Sequence, residues 1–283
     1  MDKDIPVSVV QHEPGDLDHR QENLAYILER FHELAAKGSR LVVFPELGIT
    51  SFFRHEPGGL RRYWERGSVA AHGPELTAIV DAARALNAYT VVGFAERSFV
   101  YGTIYNSAAL IGPEGIVGIT RKLHLPGIEK LYYFAGEGVD VFDSSIGRIG
   151  IAICYDAMFP EYFKAMSDQG VDIVIITGSF WAGGEKGGVG VESLKREYWL
   201  ALPMVTAIQN QAFVVACNAC GQLDMGSHVG TWERLGLSQI AAPTGRRLAR
   251  ACETEEEVIS ATLTSQELVE ARTSYRFLAD RLL

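Results

Sequence analysis

Three ionisable residues, Glu46, Lys122 and Cys154, each follow an apolar run that is typical of a buried strand. In open α/β sheets, ligands bind beyond the carboxyl ends of the strands. If the three strands are neighbours, a carboxylate, an ammonium and a thiol share one rim. Such a set could activate a nucleophile and hold an oxyanion. The runs are residues 41–45, 116–121 and 149–153.

Cys154 ends its strand, and Pro160 near the first turn of a helix follows it closely. A thiol at such a turn lies near the positive end of the helix and near backbone N–H groups, which favour a thiolate and supply an oxyanion site. By position alone, however, a cysteine that closes a buried strand is more often a small core residue. Position alone therefore does not identify a nucleophile.

Glu46 is either a general base or a solvated strand end. Pro45 fixes the backbone before it, and Phe52 and Phe53 are among the apolar residues after it. A carboxyl group among apolar neighbours has a raised pKa and becomes useful as a base near neutral pH. His124 is the conventional base by residue type, and spacing does not choose between His124 and Glu46. Lys122 by itself is typical of a surface cation.

The elements that must position these residues alternate between helix and strand. Apolar periodicity predicts helices over residues 18–38, 74–87, 160–169 and 194–209, and short apolar runs predict strands over residues 41–44, 90–94, 171–177 and 212–217. Hairpins are predicted around residues 112–115 and 143–147. Because no linker or internal repeat divides the chain, we predict one α/β domain with mixed sheets over residues 1–283.

Composition excludes several classes of partner. The chain has 26 basic and 35 acidic residues, a net charge of −9 and no basic block, which excludes nucleic acid and anionic membranes and favours a small-molecule substrate. Four scattered cysteines and no signal peptide predict a reduced, cytoplasmic protein. Residues 198–223 carry no charge, but Pro203 and the polar residues 209–211 favour a buried helix and strand over a membrane span.

Two further motifs carry weak signals. Cys217 and Cys220 form a C-x-x-C motif without a second pair, so core cysteines are favoured over a zinc site or a thiol oxidoreductase. The glycine-rich residues 183–190 match neither phosphate-binding motif and favour a mobile loop over the site.

The chain resembles the nitrilase superfamily of carbon–nitrogen hydrolases in segments that come in the family's order and spacing and cover essentially the whole chain. The resemblance implies that Glu46, Lys122 and Cys154 form the family's Glu–Lys–Cys triad, that Glu129 is its second glutamate and that His124 is structural. The segments are residues 42–47, 105–107, 121–126, 150–156 and 159–161.

The resemblance also implies an α-β-β-α four-layer sandwich, assembly into homodimers or larger homo-oligomers, and chemistry without a metal or organic cofactor. Glu46 would take the thiol proton as Cys154 attacks the carbonyl carbon of an amide or ureide, giving a thioester. Lys122 and the backbone N–H of Tyr155 would hold the oxyanion. Glu129 would orient Lys122 and the substrate.

The residues after Cys154 indicate which branch of the superfamily the chain resembles. Tyr155-Asp156 is similar to the amidase and carbamoylase branches, whereas true nitrilases usually have Trp-Glu. Carbamoylases that act on amino acids hold the substrate carboxylate with an arginine where this chain has Met158. We therefore expect a neutral or apolar amide. The expected pocket residues are Phe53, Tyr155, Met158, Phe180 and Trp181.

Two alternatives stay open. An N-carbamoyl amidohydrolase could bind its acid through Lys186 or Arg196 and would release CO₂ with ammonia. A non-catalytic oligomeric scaffold of the same fold would have no need of Glu46, Lys122, Glu129 and Cys154 together. Residues 264–283 could form an arm exchanged between subunits.

Overall fold

The computed structural model of the chain describes residue 1 and residues 3–281. Its strands are β1 (Ile5–Gln11), β2 (Leu41–Val43), β3 (Tyr89–Arg97), β4 (Ile104–Gly112), β5 (Gly115–Arg121), β6 (Val141–Ser144), β7 (Gly147–Ile153), β8 (Ile173–Gly178), β9 (Trp181–Gly184), β10 (Phe213–Asn218), β11 (Gln222–Asp224), β12 (Thr231–Arg234), β13 (Gln239–Ala241), β14 (Arg247–Arg250) and β15 (Glu257–Leu263). Its helices are α1 (Arg20–Ala36), α2 (Gly59–Arg62), α3 (Pro74–Leu86), α4 (Pro160–Asp168), α5 (Glu192–Asn210) and α6 (Ser265–Ser274).

Two six-stranded mixed sheets form the centre of the molecule. The first has the order β15-β1-β2-β3-β4-β5 and the second the order β14-β13-β10-β8-β7-β6. In each sheet the three inner strands of βα units run parallel, and antiparallel strands extend the edges. A small third sheet, with the order β11-β12-β9, lies beside them.

The sheets stack face to face with helices outside, which confirms the predicted α-β-β-α sandwich. Val43 of β2 packs in the same buried cluster as Ile151 of β7, so the inner faces of the sheets share one core. Val42 points the other way and packs with Phe31 of α1. Because alternate side chains of a strand face opposite sides, each strand fills two apolar layers. On the second sheet the outer layer includes Trp199 of α5.

The predicted helices are present, with one difference in burial. The uncharged stretch is indeed α5 followed by β10, and no helix in the described part of the chain is long and apolar enough to cross a membrane. However, α5 is not wholly buried, because residues spaced four and three apart fall on one helix face that is exposed in the described structure. These exposed residues are Leu194, Tyr198, Ala201, Val205 and Ile208.

The first part of the C-terminal segment, α6, packs against its own subunit, and exchange of residues 264–283 between subunits stays a prediction. Leu268 of α6 is buried, and Gln211 donates from Nε2 to the carbonyl oxygens of Ala271 and Tyr275. Tyr275 is exposed beyond that contact. Leu282, which the sequence also assigned to the arm, lies outside the described residues.

The glycine-rich segment 183–190 also has more structure than the composition predicted. Its first two residues end β9, which pairs with β12, and Gly184 donates to the carbonyl of Gly187 at 3.0 Å. The third sheet therefore supports this segment.

Candidate active site

Glu46, Lys122 and Cys154 meet at one end of the sandwich, but not along the rim of one sheet. β2 and β5, which precede Glu46 and Lys122, are separated by two strands of the first sheet, and β7, which precedes Cys154, belongs to the second sheet. The three strands are therefore not neighbours, and the condition for one shared rim is not met. Apolar runs identify strands, but the stacking of two sheets depends on long-range contacts that no local pattern encodes.

The carboxylate of Glu46 is fully buried and accepts three hydrogen bonds. Its Oε1 accepts from Lys122 Nζ and from Asn106 Nδ2, each at 2.8 Å, and its Oε2 accepts from the backbone N–H of Ser179 at 2.9 Å. A buried charge needs such partners, because burial without them costs several kcal/mol or more. The three donors hold both oxygens of the carboxylate in place.

Lys122 links the two glutamates. Its Nζ lies 2.8 Å from Glu46 Oε1 and 2.9 and 3.1 Å from the two oxygens of Glu129, and its side chain is fully buried. Its backbone N–H donates to the carbonyl of Asn106, so β4 positions both the lysine and, through the amide, Glu46. An ammonium has three protons, and three hydrogen bonds are present here, one to Glu46 and two to Glu129. A substrate oxygen that binds Lys122 would therefore replace one of the two contacts with Glu129.

Burial and mutual charge set the ionisation of this cluster. Burial disfavours the Lys122 ammonium, but the carboxylates of Glu129 and Glu46 outweigh that effect and raise the pKa of Lys122 well above its ordinary value. Burial raises the pKa of Glu129 to about 7, against the opposing attraction of Lys122. The cluster thus keeps its cation and holds Glu129 near its titration point at neutral pH.

The loop that carries Glu46 crosses β3 at Gly93, where the two backbones lie close together. A Cβ at Gly93 of β3 would lie 2.4 Å from Leu47 N and 2.7 Å from Pro45 O, so only glycine lets the loop cross the strand here. The Gly93 carbonyl also accepts from Ile49 N at 3.1 Å. Leu47 has a φ of 53°, a left-handed conformation that is uncommon for a leucine and typical of strained functional sites.

Cys154 is the first residue of a tight 3₁₀ turn, Cys154–Met158, that follows β7. Its φ is 49°, which turns the chain sharply, and its side chain is buried with the inner core. Burial and the negative charge of Glu46 raise the pKa of the thiol well above its ordinary value. The expected resting thiolate is therefore not supported, because desolvation outweighs the turn and Lys122.

Asp156 fixes this turn against the Lys122 loop. Its carboxylate accepts from the backbone N–H of His124 at 2.8 Å, lies 2.8 Å from His124 Nδ1, and accepts more weakly from Leu123 N and Ile153 N. The imidazole of His124 stacks on Phe159 with ring centroids 3.7 Å apart. His124 therefore lies outside the Glu46–Lys122 contacts and supports the loop.

A cavity of about 490 Å³ opens on Glu129, a volume suited to a small molecule. Two predicted pocket residues, Phe53 and Trp181, lie in its wall. The full wall comprises Phe52, Phe53, His55, Pro126, Gly127, Ile128, Glu129, Trp181, Lys186, Met225, His228, Val229 and Trp232.

The other predicted pocket residues lie outside this wall. Phe180 stacks on Trp199 with centroids 5.4 Å apart, and Tyr155 packs edge-on against Phe159 at 5.3 Å. Met158 ends the turn after Cys154 without lining the cavity. Neighbouring residues such as Phe180 and Trp181 face different ways, and the sequence does not fix which of the two faces the cavity.

Two groups that hold the Glu46 carboxylate were not predicted from the sequence. Asn106 lies within one of the segments that resemble the family, but no role was predicted for it, and Ser179 acts through its backbone N–H. A buried polar residue within a strand of apolar neighbours is the one signal that could have identified Asn106. In the described part of the chain, no group of three or more His, Cys, Asp or Glu side chains is placed to hold a metal.

The four-layer fold, with this buried lysine between two glutamates and the turn at Cys154, defines a nitrilase-type architecture. A family model described as "Carbon-nitrogen hydrolase" matches residues 6–273, and the chain belongs to this family.

Relatives and solved structures agree with that assignment. The chain is 30% identical over 258 residues to a nitrilase of Pyrococcus abyssi, covering 90% of this chain and 87% of the relative. It is 27% identical over 283 residues to a citrullinase of Francisella tularensis, covering 98% and 95%. The crystal structure of a carbon-nitrogen hydrolase from Helicobacter pylori superposes with a TM-score of 0.84 at 25% identity, covering 99% of this chain and 96% of that one.

Proposed function

We propose that the chain is a cysteine-dependent amidase that releases ammonia from a small amide through a thioester at Cys154. The observation that carries this proposal is the buried contact of Lys122 with both Glu46 and Glu129, at the same end of the sandwich as Cys154. Family membership supports the class of bond that is cleaved.

Proton transfer follows from the raised pKa of the thiol. A protonated Cys154 is a poor nucleophile, so Glu46 takes its proton as Sγ attacks the carbonyl carbon. The Lys122 ammonium and the backbone N–H of Tyr155 stabilise the oxyanion. Glu46 then returns the proton to the departing ammonia. A water that gives its proton to Glu46 cleaves the thioester and restores the thiol.

Glu129 contacts Lys122 Nζ as Glu46 does, and it also lies in the cavity wall. It is the one member of the ionic cluster in that wall among the residues described. Glu129 therefore orients the ammonium and contacts the substrate's amide nitrogen or carbonyl.

Hydrolysis of an N-carbamoyl compound is the second candidate. Relatives of similar length include the citrullinase and an N-carbamoylputrescine amidase of Solanum lycopersicum, 29% identical over 253 residues, which covers 87% of this chain and 82% of that one. The same chemistry on a ureide expels the amine and leaves a carbamoyl group on sulfur, and hydrolysis of that group gives CO₂ and ammonia.

A non-catalytic scaffold is the less favoured alternative. Burying Glu46, Lys122 and Glu129 together carries a desolvation cost that apolar residues of similar size would avoid. A fold kept only for its surface gains nothing from that cost.

We also propose a homodimer or larger homo-oligomer in a reducing compartment, the cytoplasm. The exposed apolar face of α5 repeats at intervals of four and three residues, the spacing that packs two helices against each other. All four cysteines are free thiols, which suits a reducing environment.

Ammonia release from a panel of amides, N-carbamoyl compounds and nitriles tests the function. We expect activity on amides or ureides that Cys154→Ala abolishes, while Cys252→Ala, which removes an exposed free thiol, retains it. Ammonia release that Cys154→Ala leaves unchanged would refute the nucleophile. Activity confined to nitriles would refute the amidase assignment.

A further inference from the structure

The cavity that opens on Glu129 has two chemically different ends. Glu129 is buried with the ionic cluster, whereas Lys186 and His228 in the same wall are exposed. His55 joins them, with its ring 5.5 Å from that of His228. These three residues, here called the mouth cluster, are nitrogen donors at the solvent end of the cavity. Apolar and aromatic side chains, including Phe53 and Trp181, make up most of the remaining wall.

Lys186 is positioned but not neutralised. Its Nζ donates to the carbonyl of Ser227 at 2.5 Å, and among the described residues no carboxylate lies within 4.0 Å of it. The bond to Ser227 uses one of three protons and leaves two for a ligand. An ammonium held in this way attracts an anion without first having to leave a protein carboxylate.

The acidic residues that flank the mouth already have partners. Arg54 lies 2.7 Å from Asp224 and 3.5 Å from Glu56, and Arg62 lies 3.1 Å from Glu56. Glu185, beside Lys186 in sequence, accepts from the backbone N–H of Thr231. Glu185 keeps its negative charge, but among the described residues none of these carboxylates forms an ion pair with Lys186.

Two loops hold the mouth cluster together. The backbone N–H of His55 donates to the carbonyl of Met225 at 2.6 Å, and His55 Nδ1 lies 3.0 Å from the hydroxyl of Tyr132. Gly226 has a φ of 95°, and a Cβ there would lie 2.8 Å from the nitrogen of His55. The close contact at this glycine fixes the loop that carries His228 against His55.

From this arrangement we infer that the substrate carries a carboxylate at the end remote from the scissile carbonyl, and that the mouth cluster binds it through Lys186. The inference rests on the proposed function and narrows its substrate to an amide or ureide with an anionic tail. It replaces the expectation of a neutral substrate, which depended on Met158. Because Met158 does not line the cavity, the absence of an arginine there does not decide the charge of the tail.

Matched substrates that differ only in the tail test the inference. The amide pair is glutaramic acid and its methyl ester, with 5-aminopentanamide as the cationic form. The ureide pair is N-carbamoyl-β-alanine and its methyl ester. We expect kcat/KM for an acid to exceed that of its ester by at least about 10-fold, as for a charge-assisted hydrogen bond, and the cationic amide to be the poorest.

Lys186→Met should remove most of this preference by lowering kcat/KM for the acid while leaving the ester nearly unchanged, and Lys186→Arg should retain it. Lys37→Met removes the same charge from an exposed site at the end of α1 and should change neither value. Equal values for acid and ester, or a loss in Lys186→Met that is the same for both, would overturn the inference.

Binding to Cys154→Ala separates this inference from the proposed function. Calorimetry with the acid and its ester measures tail recognition without turnover, and we expect tighter binding of the acid that depends on Lys186. If the parent protein does not hydrolyse these substrates but the acid still binds more tightly than its ester, the amidase function alone would be refuted. Binding of the ester as tight as that of the acid would refute the carboxylate tail alone.

Discussion

Gly93 offers a test of whether the position of Glu46 governs the reaction. A methyl group at Gly93 would lie 2.4 Å from Leu47 N, 2.7 Å from Pro45 O and 2.9 Å from Glu46 C, all backbone atoms. Ordinary contact begins near 3.4 Å, so the loop must move by about 1 Å. A displacement of that size at a reacting group can lower the rate by about 100-fold. We therefore expect Gly93→Ala to lower kcat by about 100-fold.

The loop cannot escape this change freely, because Ile49 N donates to the carbonyl of Gly93. We expect the variant to fold with a loss of about 1–3 kcal/mol in the free energy of unfolding. Ammonia release under saturating substrate gives kcat, and circular dichroism gives stability. Gly138→Ala is the matched control, since its Cβ would meet no atom within 4 Å. Nearly full activity in folded Gly93→Ala would refute the reasoning.

Three further predictions address the ionic cluster, the third sheet and the exposed helix face. The folded pKa of Glu129 is about 7 against an ordinary 4.5, so the native state binds an extra proton between these values and its stability falls as pH rises through this range. Glu129→Gln should therefore lower kcat, and its free energy of unfolding should rise relative to that of the parent chain from pH 5 to pH 8. A difference in unfolding free energy that stays constant over this pH range would contradict the prediction. Arg234 is buried, its guanidinium lies 5.5 Å from the ring of Trp181, and its hydrogen bonds among the described residues go to backbone carbonyls. Arg234→Met should therefore lower the free energy of unfolding, measured with urea, by about 2–4 kcal/mol. An unchanged urea midpoint would show that these contacts are weak. If the proposed homo-oligomer forms through α5, Val205→Glu should give a smaller species in light scattering with the fold intact. An unchanged mass would exclude this helix face as the interface.

The sequence predicts the parts of the site that lie at the ends of strongly patterned elements. Glu46, Lys122 and Cys154 each follow an apolar run, and the family resemblance assigned them to one cluster together with Glu129. What the residues alone could not predict is that two stacked sheets bring them together, because that contact joins distant parts of the chain.

The cavity wall was the least predictable part. Trp181 faces the cavity while its neighbour Phe180 packs on Trp199, and this choice depends on the short strand β9 and its pairing with β12. Strands of three or four residues rich in glycine carry too little periodicity to be recognised. Lys186 lies beside this strand. The sequence named Lys186 and Arg196 as residues that could bind a substrate acid, and the structure places Lys186 but not Arg196 in this wall.

Trapping the intermediate tests the central claim, that Cys154 carries the acyl group, most directly. Rapid acid quenching during turnover, followed by mass spectrometry of the peptide that contains Cys154, should show an adduct of the substrate's mass less ammonia. The adduct should persist in Cys252→Ala and vanish in Cys154→Ala. An adduct on another residue, or turnover by Cys154→Ala at the parent rate, would contradict the account.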